Sequence, residues 1–304
     1  MPRFAPDSSV NALQFQRLKD KLGNRSNASS EVEFTGAHAT RVGDEGKGIR
    51  TIIQMVQLTR QDCAIASAGL MRSGLAHALH HARHRSVFQK NLADQPLMQA
   101  VLADMALHVE ASIALVMRLC RSFDRAPDDP NEAAFMRLLT PAIKYWVCKS
   151  APGFLYEAME CLGGNGYVEE GILARHYRES PVNAIWEGSG NVMCLDVLRA
   201  LSREPDAAAS VLQQLADEAK GLPGIGDAVV FIGKVFRRSD SERVARLAVE
   251  KLSLLAAAVA LNAVSPRHAE LFAATRLASN HASMYGAVDL AHDEIRGLLG
   301  RALP

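Results

Sequence analysis

Residues 48–86 read GIRTIIQMVQLTRQDCAIASAGLMRSGLAHALHHARHRS, and this stretch decides the fold. Apolar side chains at Ile52, Ile53, Met55, Val56, Ile65, Ala68, Met71, Leu75 and Leu79 recur at helical spacing, which predicts one long helix over roughly 50 to 86. A second is expected from about Gln95 to Phe123. The stretch Asp124-Arg125-Ala126-Pro127-Asp128-Asp129-Pro130 must end it, because proline lacks a backbone donor and disfavours helix in the residue before it. A third should cover Glu132 to Leu162, kinked or split at Pro152, and close at Gly163-Gly164, where glycine permits a left-handed terminus. A fourth follows Ser189. Long helices joined by short breaks form antiparallel bundles.

Outward from the bundle the texture changes on both sides. In front, Ser29-Ser30-Glu31-Val32-Glu33-Phe34 alternates as a strand would, between turns at Gly23–Asn27 and Gly36. So little sheet is marginal by itself. Behind, Arg203-Glu204-Pro205-Asp206 opens an Ala/Leu-rich helix, followed by a Gly221-Leu222-Pro223-Gly224 turn and more helix. The fold class is therefore mainly α with a small β remnant. Residues 1–45 are expected to hold the remnant, 46–201 the bundle and 202–304 an additional helical region.

Composition narrows the function classes. Among 304 residues, 48% are hydrophobic and 22% charged, as in a globular chain. With 34 Lys+Arg against 33 Asp+Glu, bulk charge points to no class of partner, so any electrostatic function must be local. Cys63, Cys120, Cys148, Cys161 and Cys194 stand singly in apolar stretches, which predicts buried reduced thiols and neither disulfides nor a zinc site. No signal-peptide core and no run of about 18 apolar residues is seen, so a cytoplasmic protein without a membrane span is expected.

Three neighbouring segments could carry chemistry: Leu162-Gly163-Gly164-Asn165-Gly166-Tyr167-Val168-Glu169-Glu170, Arg175-His176-Tyr177-Arg178-Glu179, and Ile185-Trp186-Glu187-Gly188-Ser189-Gly190-Asn191. Glycines after a helix let backbone approach a flat or bulky ligand. The Glu187 carboxylate sits between an aromatic and a glycine, where desolvation would favour a general base. Ser189 is a candidate N-cap for a helix whose exposed amides suit an anion. His77, His80, His81 and His84 share one helix face, but no carboxylate or thiol joins them, so no metal site is expected. Lys234, Arg237, Arg238, Arg243 and Arg246, with Lys251, make a basic stretch interrupted by acids, which reads first as a solvated face.

Taken together, Gly-Gly-Asn-Gly-Tyr, Arg175-x-x-Arg178-Glu179 and Trp186-Glu187-Gly188-Ser189, in that order and spacing, resemble the C-terminal signature of the acyl-CoA dehydrogenases. Arg85-Ser86-Val87-Phe88 is similar to the family's Arg-x-x-Phe cofactor motif. The segments 17–29 and 185–199 look like the AidB (alkylation-response) branch, in which Trp stands before the glutamate. The resemblance spans about residues 10 to 200 and implies an FAD-dependent oxidoreductase acting on an acyl-CoA, a homotetramer if intact. It implies that Glu187 is the base, that Arg85 reaches the FAD pyrophosphate of a neighbouring subunit, and that Phe88 packs on the cofactor. Gly163 and Gly164 would admit the cofactor, Ser189 and Asn191 would meet its adenine half, and Trp186 would lie against the flavin ring. The sequence departs from the family at Gln89, where glycine is usual, and at Gln95, one place before the position of the adenine-contacting glutamine, which Pro96 occupies. On this resemblance Met1 falls inside the β-domain, and the family's N-terminal helical domain and first β-strands are expected to be missing. Two other readings stand beside the enzyme: a double-stranded-DNA-protecting flavoprotein using the basic stretch, or an inactive fragment.

Overall fold

The computed structural model describes residues 1–278, 284–287 and 289–302. Two compact units divide the chain, Met1–Leu58 and Thr59–Pro304. In the first, β1 (Leu13–Leu18) pairs antiparallel with β2 (Ser30–Phe34), Leu13 opposite Phe34 and Leu18 opposite Ser30, with an irregularity between Phe15 and Arg17. The alternation at 29–34 predicted β2; its partner β1 went unread. Asn11 ties the unit together. Its amide nitrogen donates to the carbonyls of Pro2 and His38, and its Oδ1 accepts from the His38 N–H at 2.8 Å.

α1 (Gly48–His84) begins in the first unit and continues into the second. There its inward face reads Ala64, Ala68, Met71, Leu75, Ala78, Leu79 and Ala82, all essentially inaccessible. Ile52, Ile53, Met55 and Ile65, counted in the sequence pattern, are exposed instead. Gly74 permits a close crossing, since a Cβ there would lie 2.8 Å from the Leu155 side chain. After α1, the two-residue strands β3 (Ser86–Val87) and β4 (Lys90–Asn91) form a minimal hairpin.

α2 (Pro96–Arg125) and α3 (Pro130–Cys161) form the centre of the bundle. α2 is long and apolar enough to cross a bilayer, with mean hydropathy 1.7 over eighteen residues, yet 67% of that span is buried by protein. Asp129 starts α3, its carboxylate accepting from the N–H groups of Asn131 and Glu132 with Pro130 in the first turn; such a cap contributes about 1 kcal/mol. The expected split at Pro152 does not occur. α3 runs unbroken past both Pro141 and Pro152. Every residue from Leu138 to Cys148 is buried, so tertiary packing holds the helix through Pro141, and at Pro152 the buried face of Ala151, Phe154 and Leu155 carries it on.

α4 (Gly164–Tyr167), α5 (Ile172–Asn183) and α6 (Gly190–Arg203) follow. α5 was not expected from the sequence. Then come α7 (Pro205–Glu218), α8 (Ile225–Phe236), α9 (Ser241–Asn262), α10 (Pro266–Ala273) and α11 (His292–Ala302). α9 packs on α2, α3, α6 and α8 within one apolar core. α9 is buried at every position from Leu252 to Leu261.

Candidate functional site

Two groups of the predicted residues come together, in different places. The first is the turn between α5 and α6. α5 closes with the amides of Ile185 and Trp186 both donating to the Val182 carbonyl, and the Trp186 indole donates to Asn183 at 3.2 Å. Glu187 then takes φ +59° and Gly188 φ +109°. Left-handed backbone at a residue with a side chain is strained. Gly188 could not be replaced freely, since a Cβ there would lie 2.5 Å from the Met193 terminal methyl.

Two cations hold this turn from below. Arg60 Nε donates to the Glu187 carbonyl at 3.0 Å, and Lys144 Nζ donates to the Gly188 carbonyl at 2.8 Å. Arg60 is itself fixed by Asp196, 5% exposed, which also accepts from Arg137. Burial lowers the Lys144 pKa, with neighbouring Arg60 acting in the same direction and Cys148, Cys63 and Glu187 partly offsetting it. The Glu187 side chain is half-buried, with Trp186 39% exposed beside it.

Ser189 stands at the N-cap position of α6 in extended backbone, but its hydroxyl makes no capping hydrogen bond, contrary to the expectation. Ser189 and Asn191 are exposed at that helix start. The Arg246 guanidinium of α9 reaches the same place, 3.2 Å from where a Cβ on Gly190 would stand.

The second group is a cleft of about 550 Å³ lined by His81, Arg85, Val87, Leu92 and the segment Glu160–Asn165. It brings Arg85 to Gly163 and Gly164; Glu187, Trp186, Ser189 and Asn191 do not line it. A Cβ on either glycine would meet nothing within 4 Å, so the backbone is open to approach, and Gly163 has φ +59°. Gly166 has a different duty: its missing Cβ lets it pass the Met159 carbonyl, which a Cβ would meet at 2.1 Å. A guanidinium beside uncovered glycine backbone fits a phosphate-bearing ligand.

Above the cleft, the β3–β4 turn consists of Phe88 (φ +48°) and Gln89 (φ +65°), and Phe88 is 93% exposed. Gln95 begins α2 and spends its amide on the Val87 carbonyl at 3.3 Å, which ties it to this hairpin. Arg178 forms a two-pronged pair with Glu169 and so braces the loop before α5, whereas Arg175 pairs with Glu179 one turn along α5 itself.

The remaining candidates are also located. The thiols of Cys148 and Cys161 are pushed up to about 12 and that of Cys194 up to about 11 by burial, so they stay protonated. The His80 and His84 rings lie 4.3 Å apart, tilted by 36°, and among the described residues no cluster of three metal-binding side chains occurs. Lys234, Arg237, Arg238, Arg243 and Arg246 are all exposed, but Arg238 is taken up by Asp240 through contacts of 2.7 and 2.8 Å.

Sequence reasoning missed Arg60, Lys144 and Asp196. A single lysine in the apolar run Ala142-Ile143-Lys144-Tyr145-Trp146-Val147 was the available signal.

The chain is 48% identical over 255 residues to the AidB protein of Escherichia coli (strain K12), covering 84% of this chain and 47% of that one. Caenorhabditis elegans ACDH-11, solved in complex with C11-CoA, superposes over 96% of this chain and 53% of its own with TM-score 0.83 and 27% identity. An acyl-CoA dehydrogenase from Bacillus anthracis, solved with FAD, shares the fold over 96% of this chain and 56% of its own, with TM-score 0.71 and 17% identity. The chain thus spans about half the length of the relatives it matches. Residues 46–202, which contain both the Glu187 turn and the Arg85 cleft, match the family described as acyl-CoA dehydrogenase, C-terminal domain, and the chain belongs to the acyl-CoA dehydrogenase family.

Proposed function

We propose that this chain carries the base-bearing part of an FAD-dependent, AidB-type dehydrogenase acting on an acyl-CoA. The observation that carries the reading is the strained Glu187 turn, held from below by two cations and flanked by Trp186. Strain persists at a site when the surroundings over-determine it, and such sites are commonly functional. The Glu187 carboxylate takes the proton α to the thioester carbonyl. FAD, when bound, supplies the acceptor for the hydride that leaves the β-carbon. Trp186 lends a flat apolar face beside the base, and Ser189 and Asn191 offer polar groups at the start of α6. Arg85 binds pyrophosphate oxygens, Gly163 and Gly164 admit them to the backbone, and exposed Phe88 packs on the ligand. On the family resemblance the chain assembles as a homotetramer in which Arg85 meets the FAD pyrophosphate of a neighbouring subunit.

The test is the visible spectrum of the protein loaded with excess FAD, desalted, and mixed anaerobically with isovaleryl-CoA. Retained flavin bands that bleach are expected. Absence of retained flavin would overturn the reading.

A second reading places the protein in the cytoplasmic response to DNA alkylation, with the exposed cations Lys234, Arg237, Arg243 and Arg246 on duplex phosphates. Such contacts are indifferent to sequence and weaken steeply with salt. Retention on duplex DNA that falls as salt rises is expected, and no retention at low salt removes this reading.

A further inference from the structure

We propose that Lys144, seconded by Arg60, is a positioning residue that fixes the Glu187 carboxylate by holding the left-handed turn through the Gly188 and Glu187 carbonyls. The inference rests on the reading of Glu187 as the base.

Lys144 is 1% exposed and comes from the middle of α3, where every neighbour from Leu138 to Cys148 is also buried. A lone ammonium in such a place costs stability unless it meets an acceptor. The acceptor it meets is the Gly188 carbonyl, 2.8 Å away. One residue earlier, the Glu187 carbonyl takes the Arg60 donor at 3.0 Å, and Arg60 is braced by Asp196 at 2.7 Å. Two successive peptide groups in left-handed backbone are thus pinned by two cations from two helices, α1 and α3. A methionine at 144 would fill the same volume without holding the carbonyl. Burial of the lysine therefore serves the turn and adds nothing that an apolar side chain would not give the bundle.

The experiment compares wild-type protein with Lys144→Met, Lys144→Arg and Glu187→Gln in two measurements. In hydrogen exchange, Lys144→Met should quicken exchange across residues 184–191 by about tenfold while α3 stays protected, since the buried bonds of a core helix open only with larger units. Unchanged exchange in the turn overturns the proposal. In anaerobic flavin bleaching by isovaleryl-CoA, Lys144→Met should be slower by about 10- to 100-fold, with the half-saturating concentration within about twofold, because a small misplacement of the base costs that much. Lys144→Arg should recover part of the rate. A Lys144→Met protein that bleaches as fast as wild type overturns the proposal. If wild type bleaches no faster than Glu187→Gln, the base reading falls, and the exchange measurement alone decides whether the clamp exists. Should Lys144→Met fail to fold, Gly188→Ala disturbs the same turn through Met193 and is expected to reproduce both effects.

Discussion

At the residue scale, chemistry and stability assign different duties to two buried or half-buried glutamates. Glu187 is exchangeable for glutamine without loss of volume, and the turn is held through main-chain carbonyls, so Glu187→Gln should fold and retain flavin as wild type does. Its flavin bleaching by an acyl-CoA should fall by about 1,000-fold, within the range lost with a general base; stopped-flow absorbance checks this. Glu132, 8% exposed, is structural. Burial raises its pKa, but hydrogen bonds from Ser122 at 2.6 Å and Arg118 at 2.8 Å, with the charges of Arg118 and Arg121, outweigh burial and leave the carboxyl below its usual value. A depressed carboxyl stabilises the fold fully above its unfolded pKa, about 4.3, and loses that contribution as pH falls through the lower folded value. Glu132→Gln should therefore cost about 2 kcal/mol near neutrality, the worth of a hydrogen bond to a charged group, and the gap from wild type should close in acid below pH ~4. Urea titrations at several pH values measure it; a gap independent of pH would dismiss the ionised pair as its cause.

At the element scale, the hairpin after α1 is built on a turn that its sequence does not advertise. Two-residue hairpin turns of type I′ need positive φ at both positions, which favours Asn-Gly or Gly-Gly, yet Phe88 and Gln89 occupy them at +48° and +65°. That is why β3 and β4 could not be read from the sequence, although the departure from glycine at position 89 was visible. The long helices were legible because each carries a sustained periodic pattern or a proline-marked break. The continuity of α3 through Pro152 was not, because it rests on packing of one face, where Ala151, Phe154 and Leu155 are inaccessible while Gly153 and Tyr156 are exposed. Likewise the Glu187 motif was readable from its order and spacing, whereas Lys144 and Arg60 act on it from 44 and 127 residues away and leave no local signature. Gln89→Gly should relieve the left-handed strain and stabilise the hairpin by about 1 kcal/mol. Slower amide exchange at residues 86–91 would register the gain, and faster exchange there would mean that the Gln89 side chain holds the turn by contacts of its own.

At the scale of the whole molecule, the core does not stop where the family signature stops. α9 is apolar at every position between Leu252 and Leu261 except Ser253, the pattern of a helix buried on all sides, although the sequence analysis read this region only as more helix. The segments after it are fastened back to α2 by charge. Glu110 accepts from His268 of α10 and from Arg301 of α11, and Asp104, 1% exposed, pairs with Arg276 and takes the Gly286 N–H at 2.9 Å. The Asp104–Arg276 pair joins residues 172 apart, beyond any local reading. Two charges buried this deeply lose their hydration, and their mutual attraction roughly offsets that loss. Removing only one leaves the other uncompensated. Asp104→Ala should thus destabilise the second unit by about 3–5 kcal/mol, the cost of a broken buried pair. The double substitution Asp104→Leu with Arg276→Met removes both charges and keeps most of the volume, so it should recover most of that loss, as buried pairs replaced by apolar groups generally do. Urea unfolding of the two variants beside wild type makes the comparison. A double variant as unstable as the single one would locate the contribution of Asp104 in its bond to the Gly286 N–H, and the anchoring of the C-terminal segments would then rest on that bond and the Glu110 contacts.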